Sequence, residues 1–150
     1  MKVFNGIAEL EKAVGTHLGH SDWHTITQDQ IDTFAAATGD HQWIHVDPEN
    51  AAQGPFGSTI AHGFLTLSLV PMLTWQVYTV ESVQMGVNYG ADKLRFPSPV
   101  PVGSRVRAGV ELTAVTPNAL GYQVATRVTI ERDGGDKPAC VVDMLVVVVA

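Results

Sequence analysis

His62–Thr79, HGFLTLSLVPMLTWQVYT, is the stretch that decides the fold. It contains no Asp, Glu, Lys or Arg. Phe64, Leu65, Leu67, Leu69, Val70, Met72, Leu73, Trp75, Val77 and Tyr78 fall around every side of a helix. A helix without a polar face belongs in the middle of a fold, covered all round. Pro71 has no backbone N–H and is expected to kink it. The most apolar runs are Gly63–Leu73 and Leu145–Ala150, and both fall well short of the ~20 residues a membrane helix takes.

Downstream of this helix the period changes. In SRVRAGVELTAV (Ser104–Val115), Val106, Ala108, Val110 and Leu112 alternate with Arg105, Arg107, Gly109 and Glu111. GYQVATRVTIER (Gly121–Arg132) alternates through Tyr122, Val124, Thr126, Val128 and Ile130. RDGGDK is a hairpin turn, and ACVVDMLVVVV (Ala139–Val149) reads as a strand covered on both faces. With VQMGVNYGADKLRF (Val83–Phe96) there are at least four strands in hairpin succession, hence an antiparallel sheet. One apolar helix and an antiparallel sheet make an α+β architecture, most simply with the sheet wrapped around the helix.

Upstream, Ile7, Leu10 and Val14 have helical spacing, and SDWHTI (Ser21–Ile26) looks extended. Thr27 and Gln30 form a capping box. The helix behind them carries Ile31, Phe34, Ala35 and Thr38 on one face, and Gly39 ends it with a left-handed cap. Asp47-Pro48 opens a further short helical turn.

The chain of 150 residues suits a single domain, 1–150. Only 16% of residues are charged against 45% hydrophobic, which favours a buried subunit interface and a homodimer. A net charge of −6 argues against nucleic-acid binding, which needs a basic footprint. The lone cysteine, Cys140, allows no intrachain disulfide and suits a reducing compartment. MKVFNGIAEL lacks a signal peptide's continuous apolar core, so the expectation is a cytoplasmic protein without a membrane span.

Candidate chemistry centres on Gly39–His45, GDHQWIH. Alone, Asp40 reads as a turn residue and His45 as a structural histidine. Together, beside Trp43 and Ile44, they read as an acid–base pair tuned by apolar surroundings. A metal set of His41, His45 and Asp47 is disfavoured, because Pro48 and the missing helical signal give these residues no common face. Cys140 lies in an apolar strand, where thiols are inert. Gly63, at the start of the apolar helix, suits either an oxyanion-binding amide or close packing. Lys93, Arg95, Arg105 and Arg107 form a basic segment against the single acid Asp92, fit for phosphates or for a solvated face.

Three blocks, FAAATGDHQWIHVDPENA (Phe34–Ala51), IAHGFLTLSLVP (Ile60–Pro71) and NYGADKLRFPSPVPVGSRV (Asn88–Val106), resemble the MaoC-like dehydratase family. This family holds the (R)-specific enoyl-CoA hydratases, and the likeness is to its nodulation protein N-like branch. The family element Gly-Asp…His…Ala falls on Gly39, Asp40, His45 and Ala51. The resemblance implies a hotdog fold, an antiparallel sheet around a long central helix, dimeric, with sites near the interface. It implies reversible hydration of trans-2-enoyl thioesters by Asp40 and His45, with the Gly63 N–H on the thioester oxygen. The substrate is an acyl-CoA or acyl-carrier-protein thioester, and no cofactor or metal is implied beyond the coenzyme A of the substrate. Gln42 and Trp43 replace the Asn and Pro of many members, and with Ile44 they are expected to shape the pocket. The basic residues Lys93, Arg95, Arg105 and Arg107 are expected on the carrier's phosphates. The rivals are a hotdog thioesterase, disfavoured because His62–Thr79 has no carboxylate, and a non-catalytic thioester-binding subunit, disfavoured by the presence of both Asp40 and His45.

Overall fold

A computed structural model describes residues 1–150. In chain order the elements are β1 (Lys2–Phe4), α1 (Ile7–Lys12), β2 (His17–His20), β3 (His24–Thr25), α2 (Gln28–Thr38), α3 (Trp43–Val46), α4 (Pro48–Ala52), α5 (Gly63–Ser68), α6 (Val70–Trp75), β4 (Tyr78–Val80), β5 (Met85–Arg95), β6 (Arg105–Pro117), β7 (Tyr122–Arg132) and β8 (Cys140–Val149). The main sheet runs β2-β6-β7-β8-β5, with β3 also on β6, and every pairing in it is antiparallel. No helix is long and apolar enough to cross a membrane.

The core lies where the sheet curls over α5 and α6. Leu65, Leu69, Val70 and Leu73 meet Val106, Ala108, Val110 and Leu112 of β6, Val124, Val128 and Ile130 of β7, and Cys140, Val142 and Met144 of β8. The inward residues of β6 are the alternating apolar set read from sequence, because side chains one apart on a strand point to opposite faces.

Several local expectations are corrected. The apolar helix is two helices in series, broken at Leu69, two residues before Pro71. It stops at Trp75, and Tyr78–Val80 instead pair in parallel with Lys2–Phe4. Tyr, Thr and Val are residues that fit a pleated surface better than a helix. Nor is the helix covered all round: Phe64 is 64% and Trp75 70% exposed. β8 is buried on one face only, with Val141 and Asp143 half exposed on the other. Its inside–outside alternation slips at Leu145–Val146, beside the bulge at Tyr89 in β5. The free edge on this side of the sheet belongs to β5, not to the more apolar β7 and β8. The cap of α2 is half a capping box: Thr27 Oγ1 accepts the Gln30 N–H at 3.2 Å, but the Gln30 side chain bonds His24 Nε2 at 2.9 Å. Val14 lies past the end of α1 and is exposed.

Leu73 is wholly buried between α6 and the sheet. Leu73→Ala is expected to destabilise the fold by about 2–5 kcal/mol, the range for large-to-small core changes. Urea denaturation monitored by circular dichroism measures it; a loss below ~1 kcal/mol would show that this contact is not central to the core.

Candidate active site

Three chain segments converge at the beginning of α5. The first is the loop that leaves α2. Gly39 adopts φ 85°, a left-handed cap, and its N–H donates to Ala35 O at 2.8 Å. The chain therefore reverses, and Asp40 emerges exposed, its carboxylate accepting the Gln42 N–H at 3.3 Å. Gln42 then starts α3, a single turn for which no signal was read in the sequence.

His45 is the inward residue of that turn, only 6% exposed. Its Nδ1–H donates to Ile60 O at 2.7 Å, and the Ile60 N–H returns a bond to Ile44 O at 3.0 Å. A carbonyl can only accept, so the proton sits on Nδ1 and the Nε2 lone pair is left free. Gln28 fixes the turn from behind: its amide donates to His45 O at 2.8 Å, and its Oε1 accepts from Thr59 Oγ1 at 2.6 Å. Burial pushes the His45 pKa down; nearby His62 lowers it further, while the Ile60 bond and Asp40 oppose the shift. His45 is thus a neutral base at physiological pH.

His62, which the sequence analysis did not single out, completes the cluster. It is 2% exposed and stacks on His45, ring centroids 3.8 Å apart and planes 24° apart. Its Nε2–H donates to the main-chain oxygen of Asp40 at 2.9 Å, and its buried Nδ1 has no partner. A polar aromatic at the threshold of an all-apolar helix was the available signal. Donor atoms of Asp40, His45 and His62 lie within 4.8 Å of one another. That spacing invites a divalent cation, but the ring geometry does not. The rings stack, with centroids 3.8 Å apart and planes inclined by 24°, whereas two imidazoles on one metal must both aim a ring nitrogen in its own plane at an atom ~2 Å away. The disfavoured set differs again: His41 and Asp47 are exposed and outside the cluster.

Gly63 follows His62 as the first residue of α5, and its N–H donates to no protein acceptor. A Cβ there would come within 2.8 Å of the Phe96 ring. The close-packing reading of this glycine is seen, and its amide is left without a protein acceptor next to His62.

The other candidates divide. Trp43 is partly exposed and packs on Gly54, where a Cβ would meet its ring at 3.0 Å. Ile44 is half-buried beside it. The four basic residues are not one patch. Lys93 and Arg95 lie on β5, Arg105 and Arg107 on β6, with β7 and β8 between them, about 14 Å across the sheet. Arg105 pairs with Asp133 and Arg107 with Glu131, and both guanidinium groups lie over Trp23, at 5.4 and 4.6 Å. Sequence clustering cannot report this, since neighbours in the chain may be separated by two strands. Cys140 is buried and its thiol is pushed up to about 11 by burial, so it is no nucleophile at neutral pH. A cavity of about 320 Å³ lies elsewhere, between α6 and the strands, lined by Val70, Trp75, Tyr78, Met85 and Met144. Its lining has no acid–base pair, which leaves the Asp40–His45–His62 cluster as the candidate site.

The family model described as "MaoC like domain" matches residues 9–133. The chain is 55% identical over 151 residues to 3-hydroxyacyl-thioester dehydratase Z of Mycobacterium tuberculosis, covering 100% of both chains. It is 43% identical over 145 residues to nodulation protein N of Rhizobium leguminosarum bv. viciae, covering 95% of this chain and 90% of that one. Its backbone superposes on the (R)-hydratase from A. caviae with a TM-score of 0.73 at 28% identity, covering 89% of this chain and 94% of the other. The sheet around the α5–α6 axis is the hotdog layout. With the domain matched over most of its length and a full-length relative at more than half identity, the chain belongs to the MaoC-like dehydratase family.

Proposed function

We propose that this protein is a hydro-lyase that interconverts trans-2-enoyl thioesters and (R)-3-hydroxyacyl thioesters. The observation that carries the proposal is the neutral, buried His45 with its Nε2 lone pair free and Asp40 beside it. A water held between Nε2 and the Asp40 carboxylate attacks C3, giving its proton to His45. The π electrons move toward the thioester oxygen, and the Gly63 N–H stabilises the enolate. The proton taken from water is relayed through Asp40 to C2, and the reverse sequence expels water. All atoms balance without a cofactor; coenzyme A or a carrier's phosphopantetheine belongs to the substrate. Gln42, Trp43 and Ile44 border the reacting carbons and limit bulk water. Lys93 and Arg95, which have no carboxylate partner within ion-pair distance, are the better contacts for carrier phosphates. Arg105 and Arg107 serve that role only by leaving Asp133 and Glu131. The protein acts in the cytoplasm.

The active form is a homodimer. Phe64 and Trp75 on the helices, and Met85, Val87 and Tyr89 on β5, leave large apolar side chains in water, with Tyr89 68% exposed. β5 also carries an unpaired edge of backbone donors and acceptors. Pairing two β5 edges about a two-fold axis would satisfy both and bring the two α5–α6 faces together.

Two outcomes follow. Asp40→Asn and His45→Gln should each lower kcat by roughly 100- to 10,000-fold, and the double variant should lose far less than the product of the two. Because His45 is lowered from 6.5, its base form persists below that value, and the acid limb of kcat/KM should lie under pH 6.5. Initial rates with an enoyl-CoA across pH measure both; a folded single variant with near-wild-type kcat removes the assignment. For the assembly, sedimentation equilibrium at micromolar concentration should give twice the chain mass, and a fully active monomer would refute the dimer.

A further inference from the structure

His62 touches Asp40 and His45 and adjoins Gly63, yet the hydration steps give it no role. It precedes Gly63 in the chain, so its backbone and the oxyanion amide share one peptide. Its Nε2–H binds the main-chain oxygen of Asp40 at 2.9 Å, across 22 residues of sequence. Its ring stacks on that of His45 and also meets the ring of Phe34, centroids 4.9 Å apart and tilted by 57°. No other hydrogen bond ties the Asp40 main chain to the start of α5.

The Asp40 loop needs such a tie. Asp40 is exposed, and the other bonds at this residue, to Thr38 Oγ1 and from the Gln42 N–H, are local and long, at 3.4 and 3.3 Å. A bond to Thr38 or Gln42 moves with the loop and cannot register it against the helix. The His62 bond does, since His62 is fixed by burial and by two ring contacts. We infer that His62 is a positioning residue of this active site: one N–H sets where the Asp40 carboxylate stands relative to the Gly63 amide, and one ring face holds His45. The inference rests on the hydratase reading for its kinetic consequence, but its geometric content is independent of turnover.

The ring also shapes the electrostatics of the base. The titratable groups that bear on His45 are Asp40 from the loop and His62 from the cap of α5; α2 meets its turn through neutral Gln28. His62 excludes water from one face of His45 and adds to the lowering of its pKa. Its loss should therefore raise the His45 midpoint.

Four proteins separate the parts of this role. His62→Gln keeps an N–H where Nε2 stood but removes the ring. His62→Phe keeps a ring against Phe34 and His45 but removes the donor. His62→Ala removes both. The wild type and each variant are assayed with an enoyl-CoA, and the His45 imidazole is followed by NMR titration. His62→Phe and His62→Ala should lose roughly 10- to 100-fold in kcat with KM little changed, the scale set by displacing a catalytic group by about an ångström. His62→Gln should recover most of that loss, because the donor is restored. The His45 midpoint should rise in both His62→Phe and His62→Ala, and further in His62→Ala, because Phe keeps the covering ring but not the titratable imidazole. If His62→Phe keeps wild-type kcat, or His62→Gln is as impaired as His62→Ala, the donor does not position Asp40 and the inference is overturned. If the wild type shows no hydration while the His45 midpoint still moves as expected, the functional reading fails and the placement of His62 stands. Should His62→Ala fail to fold, the Gln and Phe variants decide the matter between them.

Discussion

Leu65, Leu69, Val70 and Leu73 have to leave water, and only the curled sheet can take them. That constraint sets everything else. Each of these side chains contributes about 1.5–3 kcal/mol on full burial, enough in sum to dominate the placement of α5 and α6. Once the helix axis is fixed in the sheet's hollow, its first residue is fixed too. His62 and Gly63 then stand at the one point where the α2–α3 loop and the segment around Ile60 also arrive. The site is a consequence of where an apolar helix begins.

What the packing places, hydrogen bonds refine. A buried imidazole is costly unless its polar atoms are met. His45 resolves this with Ile60 on one nitrogen and leaves the other free, which is also what makes it a base. His62 resolves only half, with its Nδ1 left buried and without a partner. An unsatisfied buried acceptor costs about 1–3 kcal/mol, and such costs collect at functional sites. Gln28 and Thr59 bear on the same turn from a third direction, so His45 is held by its ring, its carbonyl and its stacking partner.

The β-strands were legible because their signal is local. Val106, Ala108, Val110 and Leu112 alternate, and all four are buried. The cap at Gly39 was legible for the same reason, as one residue with one required conformation. The extent of the central helix was not. Apolar residues at its end carry no polar face to mark a boundary, and only pairing with β1 shows that Tyr78–Val80 are a strand. Asp40 and His45 could be proposed from six residues of sequence. His62 could not, because its bond to Asp40 spans the chain and no spacing rule predicts it. The basic segment misled for the converse reason: residues close in sequence were carried to β5 and β6, and two of them were consumed by acids on β7 and its following turn.

The central claim is that this site adds water across a double bond and leaves the thioester intact. The direct measurement uses the purified protein with a trans-2-enoyl-CoA, following the enoyl absorbance and free thiol in the same cuvette. The account predicts that the absorbance falls while no thiol appears, and that the product is an (R)-3-hydroxyacyl-CoA. Release of thiol in step with substrate loss would make the protein a thioesterase, and an unchanged absorbance with tight binding would make it a thioester-binding subunit; either result contradicts it.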